Sequence, residues 1–251
     1  MYIEKAAKIK KQVKSAMMYP AFVGGAAAGT VTFLMVFVVP GFSQMFESNG
    51  QELPGITQMV INISNYMKAN FVLGLITTIV IGVVGVAYRK SEKGLRVTDG
   101  LLLKAPVVGN LLRKIAVGRF CQTLSTMLGS GVAVLEALTI CARSAGNKVV
   151  EEFIVSVRLR VSEGSTFSEP LSENTLFPDM VVSMVEVGEK TGKLDEMLDK
   201  VAKFYEEEVD DAVKAMIAMI EPILIIGLGG IVGTIVIAMF LPMFDMGKNI
   251  T

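Results

Sequence analysis

Charge drops out of this chain three times. No Asp, Glu, Lys or Arg occurs in 21–39, in 71–88 or in 223–241. About 18–20 apolar residues rising 1.5 Å each cross a hydrocarbon core of roughly 30 Å. A helix buried in a soluble core averages about 11–12 residues and usually keeps a polar face. The three runs therefore predict transmembrane helices at 20–40, 71–88 and 222–241. Between the second and third, over about 105–216, apolar residues instead recur every three or four positions. Six helices are predicted there: 111–128 capped by Asn110, 132–145, 147–162 capped by Asn147, a short helix over 166–172, one opened by Pro178 and stopped at Gly188 or Gly192, and one starting near Lys193. The last carries one stripe, Leu194, Met197, Leu198, Val201, Phe204, Tyr205, Val209, Val213 and Met216. It runs on toward the third apolar run, with Pro222 at the boundary. Strand signals are weak. The fold class read from this pattern is all-α: a polytopic membrane protein with three transmembrane helices and a bundle of about six helices.

The first and third runs resemble each other. "YPAFVGGAAAGTVTFLMVFVVPGF" and "EPILIIGLGGIVGTIVIAMFLPMF" align at an offset of 202, matching at Ala16, Met17, Pro20, Gly25, Thr32, Pro40 and Phe42. Each is preceded by a charged helix. This reads as a tandem repeat of bundle then span, in which residues 1–19 are the last helix of a first bundle. The expectation is that about 100 residues of a homologous bundle precede it in the complete protein. Both runs carry small residues four apart, Gly25 with Gly29 and Gly229 with Gly233, the spacing that lets membrane helices approach closely. With Pro20, Glu221 and Pro222 these are the candidate helix-packing or interface residues. Ordinary membrane glycine is the alternative, but two copies at nearly equivalent depth favour helix packing; for Glu221 a carboxylate snorkelling at the interface is the simpler reading.

Composition agrees with the pattern: 52% of residues are hydrophobic and 19% charged, and mean hydropathy is +0.55. The net charge of zero hides a strong bias. Lys5, Lys8, Lys10, Lys11 and Lys14 precede the first run, and Arg89, Lys90, Lys93, Arg96 and Lys104 follow the second, whereas 41–70 has only Lys68. Positive residues stay inside. The expected order is a cytoplasmic helix 1–19, span 20–40, periplasmic loop 41–70, span 71–88, cytoplasmic bundle 89–221, span 222–241 and periplasmic tail 242–251, a multi-pass protein of a bacterial inner membrane.

Little in the chain points to catalysis. There is no histidine, hence no imidazole base, and no Gly-x-x-x-x-Gly-Lys loop for a nucleotide. Cys121 and Cys141 lie far apart in sequence, on the reducing side. Neither a catalytic nor a metal nor a cofactor site is expected, and no nucleic-acid partner. In "GEKTGKLDEML" (188–198), Glu189, Asp195 and Glu196, with Glu186 just before, could serve acid–base work or a hard cation. A helix connection with acidic residues at the next N-terminus explains them more simply. "YEEEVDD" (205–211) is either an acidic docking face or the solvated side of its helix.

Three segments carry a more specific resemblance: "LKAPVVGNLLRKIAVGRFCQTLSTMLGSGVAVLEAL" (103–138), "FPDMVVSMVEVGEKTGKLDEMLDKVAKFYEEEV" (177–209) and "EPILIIGLGGIVGTIVIAMFLPMF" (221–244). The chain resembles the C-terminal two-thirds of the PilC/GspF family, the inner-membrane platform proteins of type IV pilus and type II secretion machines. "FYEEEVD" and "IAMFLPMF" lean toward the pilus branch. The resemblance implies a non-enzymatic, homo-oligomeric platform. Its partners would be a cytoplasmic assembly or retraction ATPase, the transmembrane helices of pilins or pseudopilins, other inner-membrane subunits of the machine, and the lipid bilayer. It does not single out ATPase-facing residues. The alternative is a small polytopic transporter or a subunit of one. Transporters usually hold ionisable residues or broken helices at mid-membrane, and these runs carry no charge; a liposome flux assay separates the two readings.

Overall fold

The computed structural model describes the backbone of residues 2–48 and 53–248 and the side chains of 18–46 and 53–242. The basic side chains expected before the first span, residues 49–52 of the expected loop, and the end of the tail lie outside them. All regular structure among the described residues is helical. Three helical stretches are long and apolar enough to cross a membrane: Met18–Phe46, Phe71–Arg89 and part of Leu194–Pro242.

The chain forms two units. One comprises Gly85–Met216 with the start of the first helix; the other comprises Lys14–Val84 and Ile217 onward. In the first unit, helices α5 (Glu92–Lys104), α6 (Val108–Gly129), α7 (Val134–Ser144), α8 (Lys148–Ser162), α9 (Ser168–Ser172), α10 (Asp179–Thr191) and the first turns of α11 (Leu194–Lys248) make a bundle. Its core joins Phe120, Leu124, Leu138, Ile154, Val181, Val185, Leu198 and Val201. Phe120 meets Phe177 edge-on at 5.0 Å and Phe167 at 6.3 Å, so α6 is pinned to the turns flanking α9. A fully buried aliphatic or aromatic side chain contributes about 1.5–3 kcal/mol, an exposed ion pair about 0–1. The core, not the many surface pairs, holds this unit.

The helix pattern is close to the one expected, with informative differences. Asn147 caps α8, accepting from Val149 N at 3.0 Å and Val150 N at 3.2 Å. Asn110 caps nothing: α6 begins two residues earlier at Val108, after Val107 at φ 66° and ψ −62°. Val108 N donates to Pro106 O at 2.8 Å, which closes a γ-turn of the rare positive-φ kind. The ambiguity between Gly188 and Gly192 resolves by cause. Gly192 is left-handed at φ 70° and ends α10. Gly188 lies inside the helix, where the close approach calls for glycine: a Cβ there would sit 2.8 Å from Leu194 Cα. In the α11 stripe, Phe204 turns outward, 46% exposed. Helix α5 was not expected; Ser91 caps it, its hydroxyl accepting from Gly94 N at 3.0 Å.

In the second unit, α1 (Tyr2–Phe33) leads through a π turn (Leu34–Val38) into α2 (Val39–Ser48). Pro40 explains the turn. Proline has no N–H, and in an α-helix its ring would strike the carbonyl four residues back, at Val36. Opening one turn to five-residue spacing relieves this, and Val39 N–H donates to Leu34 O. A further helix, α3 (Gly55–Ala69), occupies the expected loop, and α4 (Phe71–Arg89) follows after Asn70.

Candidate functional site

The apolar unit is organised around α3. Its inner face carries Thr57, Val60, Ile61 and Ser64, all buried. Val60 and Ile61 share one cluster with Met35 and Val39 from the first span and Ile235 and Ala238 from the third. The remaining surface of α3 divides in two. Ile56, Met59, Ile63 and Tyr66 form an exposed apolar stripe, 43–71% accessible, and Gln58, Asn62 and Asn65 form a polar one.

Two hydroxyls complete this packing. Ser64 Oγ donates to the Met35 carbonyl. Thr57 Oγ1 donates to the Ala238 carbonyl at 2.6 Å. Both acceptors lack a helical donor. The carbonyl of Ala238 would bond the N–H of residue 242, which is Pro242. The carbonyl of Met35 would bond Val39, whose N–H goes to Leu34, or in a wider turn Pro40, which has none.

The candidate packing residues sit apart from this junction. Pro20 is buried; Gly25, Gly29, Glu221, Pro222 and Gly229 are exposed and Gly233 half-buried. A Cβ added at Gly25, Gly29, Gly229 or Gly233 would meet nothing within 4 Å. Among the described residues nothing packs against these glycine pairs; the first and third spans meet further on, through Met35, Val39, Ile235 and Ala238. Beside that junction lies an apolar cleft of about 370 Å³ lined by Val31, Met35, Ile63, Met67, Gly230 and Ile235, among others. Thr234, also on its wall, donates its hydroxyl to Gly230 O at 2.7 Å. Every residue of α4 is exposed. Its Thr77 and Thr78 hydroxyls donate back to Leu73 O and Gly74 O at 2.7 and 2.8 Å, leaving an apolar cylinder.

In the bundle the carboxylates have structural partners. Glu189 accepts from Phe167 N at 2.8 Å and from Ser168 N at 3.4 Å, so it caps α9 from α10. Glu186 pairs with Lys190, and Glu196 with Lys193. Among the described residues no cluster of metal-capable side chains occurs. Within "YEEEVDD", Tyr205 and Val209 are buried, Glu208 meets Lys114 of α6 at 2.6 Å and Asp211 meets Lys214 at 2.9 Å, so the segment is part core, part solvated face. Burial pushes the Cys141 thiol up to about 12 and Cys121 higher still, helped there by Cys141 itself. Buried neutral thiols are poor nucleophiles.

Sequence reasoning missed Asp99. It is 5% exposed. Its carboxylate accepts from Lys148 N at 2.8 Å and lies 3.7 Å from the guanidinium of Arg89, the last residue of α4. Asp99 and Asn147 thus satisfy the first three amides of α8 between them. Thr57 and Ser64 were missed as well, although one signal was available: a helical proline frees a carbonyl, and hydroxyls two turns apart on a neighbouring segment can serve two of them.

Comparison with known proteins follows this architecture. Residues 120–242 match the family model described as Type II secretion system (T2SS), protein F. The chain is 46% identical over 251 residues to the type IV pilus assembly protein PilC of Myxococcus xanthus, covering 99% of this chain and 60% of that one. It is 44% identical to PilC of Thermus thermophilus, covering 98% and 61%. It is 32% identical to type II secretion system protein F of Pseudomonas aeruginosa, covering 98% and 61%. The chain thus spans about 60% of the length of these curated relatives.

Proposed function

The chain belongs to the family of PilC and type II secretion protein F, and from that premise we propose that it works as an inner-membrane platform of a fibre-building machine. In this reading a cytoplasmic ring ATPase acts on the bundle, and the apolar unit hands pilin transmembrane helices into, or takes them out of, the fibre base. The carrying observation is α11. It is one helix from Leu194 to Lys248, with Pro222 and Pro242 inside it, and it contributes both to the bundle core, through Leu198, Val201 and Tyr205, and to the apolar unit, through Ile235 and Ala238. In this reading, work done on the bundle passes to the spans along helix rather than loop, with Pro222 at the crossing. The open glycine pairs and the exposed apolar face of α4 leave surfaces for further copies, pilin helices and other machine subunits, with lipid over the rest. The pilus branch is favoured over secretion by 46% against 32% identity.

The test interrupts α11 in the full-length protein. Inserting Gly-Gly-Ser after Ile217 should abolish surface fibres in a complemented deletion strain while the ATPase still co-purifies with the protein. Fibres at normal number with the insertion, or in the deletion strain itself, would overturn the reading.

A further inference from the structure

We infer that α3 is a latch across the two repeated spans, and that the repeated prolines are what it latches onto. Pro40 and Pro242 occupy equivalent places in the repeat. Each removes an amide from its helix, and each leaves a carbonyl without an intrahelical partner: Met35 in the first span, where the π turn moves the vacancy by one residue, and Ala238 in the third. One short helix serves both, through Ser64 and Thr57. These hydroxyls are seven residues apart, two turns or roughly 10.5 Å along α3, and both are buried.

The surroundings make this pairing matter. The space beside Thr57 and Ala238 amounts to about 10 Å³, at or below what one water needs. Solvent cannot stand in for the hydroxyl. Of the other side chains lining this space, Ser43 carries a hydroxyl and is itself engaged; Val39, Phe42, Phe46, Val60, Ile61 and Met239 offer no donor. An unlatched α3 exposes two bare carbonyls to apolar surroundings, where an unpaired polar group is costly. Because one rigid helix holds both bonds, a slip of a single turn breaks them together. The latch is therefore closed or open, with no stable half-step. Without the prolines the carbonyls would be satisfied inside their own helices, and the hydroxyls would have nothing to grip.

This fixes a signature that ordinary packing does not share: the effect of Thr57 depends on Pro242. Hydrogen exchange of residues 55–69 in the purified full chain, held in lipid nanodiscs, reads it. Thr57→Val should speed exchange along the whole of α3 roughly tenfold, the effect of stranding one buried acceptor. Thr57→Ser, which keeps the hydroxyl, should stay near the unmodified chain. Ser64→Ala should accelerate the same peptides, including those around Thr57. Pro242→Ala returns a donor to the Ala238 carbonyl, and in that background Thr57→Val should change exchange less than about twofold. Equal acceleration with and without Pro242 would overturn the inference, as would acceleration confined to the residues next to the lost hydroxyl. Should Pro242→Ala fail to insert, the serine and valine variants still decide: if both exchange alike, the hydroxyl bond is not what holds α3.

Discussion

Val107 holds a conformation that β-branched residues avoid. At φ 66° its Cβ crowds its own backbone, a strain of about 1–3 kcal/mol, and the side chain is half exposed, so little packing offsets it. Val107→Gly should therefore raise the denaturant midpoint of the bundle, by a net of roughly 1 kcal/mol once the extra freedom of unfolded glycine is subtracted; a lower midpoint would mean that the valine side chain matters more than the strain. The two thiols make a second residue-level case. Folding raises both above the ordinary cysteine value near 8.5, so the folded chain holds protons that the unfolded chain gives up. The stability this represents is complete below about pH 8.5 and is lost as pH climbs toward the folded value of about 12 at Cys141. Each thiol steepens that loss by about 1.4 kcal/mol per pH unit. Unfolding of the unmodified chain against Cys121→Ala/Cys141→Ala at pH 7.5 and 10 checks the sign: the double variant should fall less steeply.

At the scale of elements, the α10–α11 connection turns on two glycines with different duties. Gly188→Ala pushes a methyl toward the Leu194 backbone, 2.8 Å away. Gly192→Ala forces a side chain into the left-handed region, with open space around it. The first should cost more, on the order of 1–3 kcal/mol as overpacking does, against about 1–2 for the second; thermal unfolding of the two variants ranks them. Much of this level was legible beforehand. Helices α7 to α11 follow from three-and-four periodicity, the Asn147 cap and the glycine stops. Helix α5 was not read because its cap, Ser91, follows directly on the second apolar run, which masked a fresh start. Helix α3 was not read because its buried face includes Thr57 and Ser64, polar residues whose place depends on carbonyls more than twenty residues away in one case and about 180 in the other. The glycine pairs mark a different limit. Spacing identified a packing motif, but spacing along one helix cannot say whether the partner belongs to the same chain.

For the whole molecule, orientation is the first thing to establish. The native thiols are buried and should stay silent to a membrane-impermeant maleimide, so single cysteines at exposed Asn65 and Lys93 report cleanly. In cells with a permeabilised outer membrane, Asn65→Cys should label and Lys93→Cys should not; the reverse pattern would invert the topology. Helix α4 then raises a question of inheritance. A residue packed in a core is chosen by its neighbours in the same gene. Arg89 at its end pairs with Asp99, but no residue of α4 is buried, so no core among the described residues chose its apolar positions. Lipid asks only that they be apolar, whereas a protein partner asks for shape. Replacing the outward-facing Ile, Val and Gly positions of α4 with leucine should leave insertion and bundle stability untouched, as measured by membrane extraction and unfolding. If fibre counts also hold, the helix is an anonymous spacer free to drift. If they collapse, its spelling is the imprint of another protein.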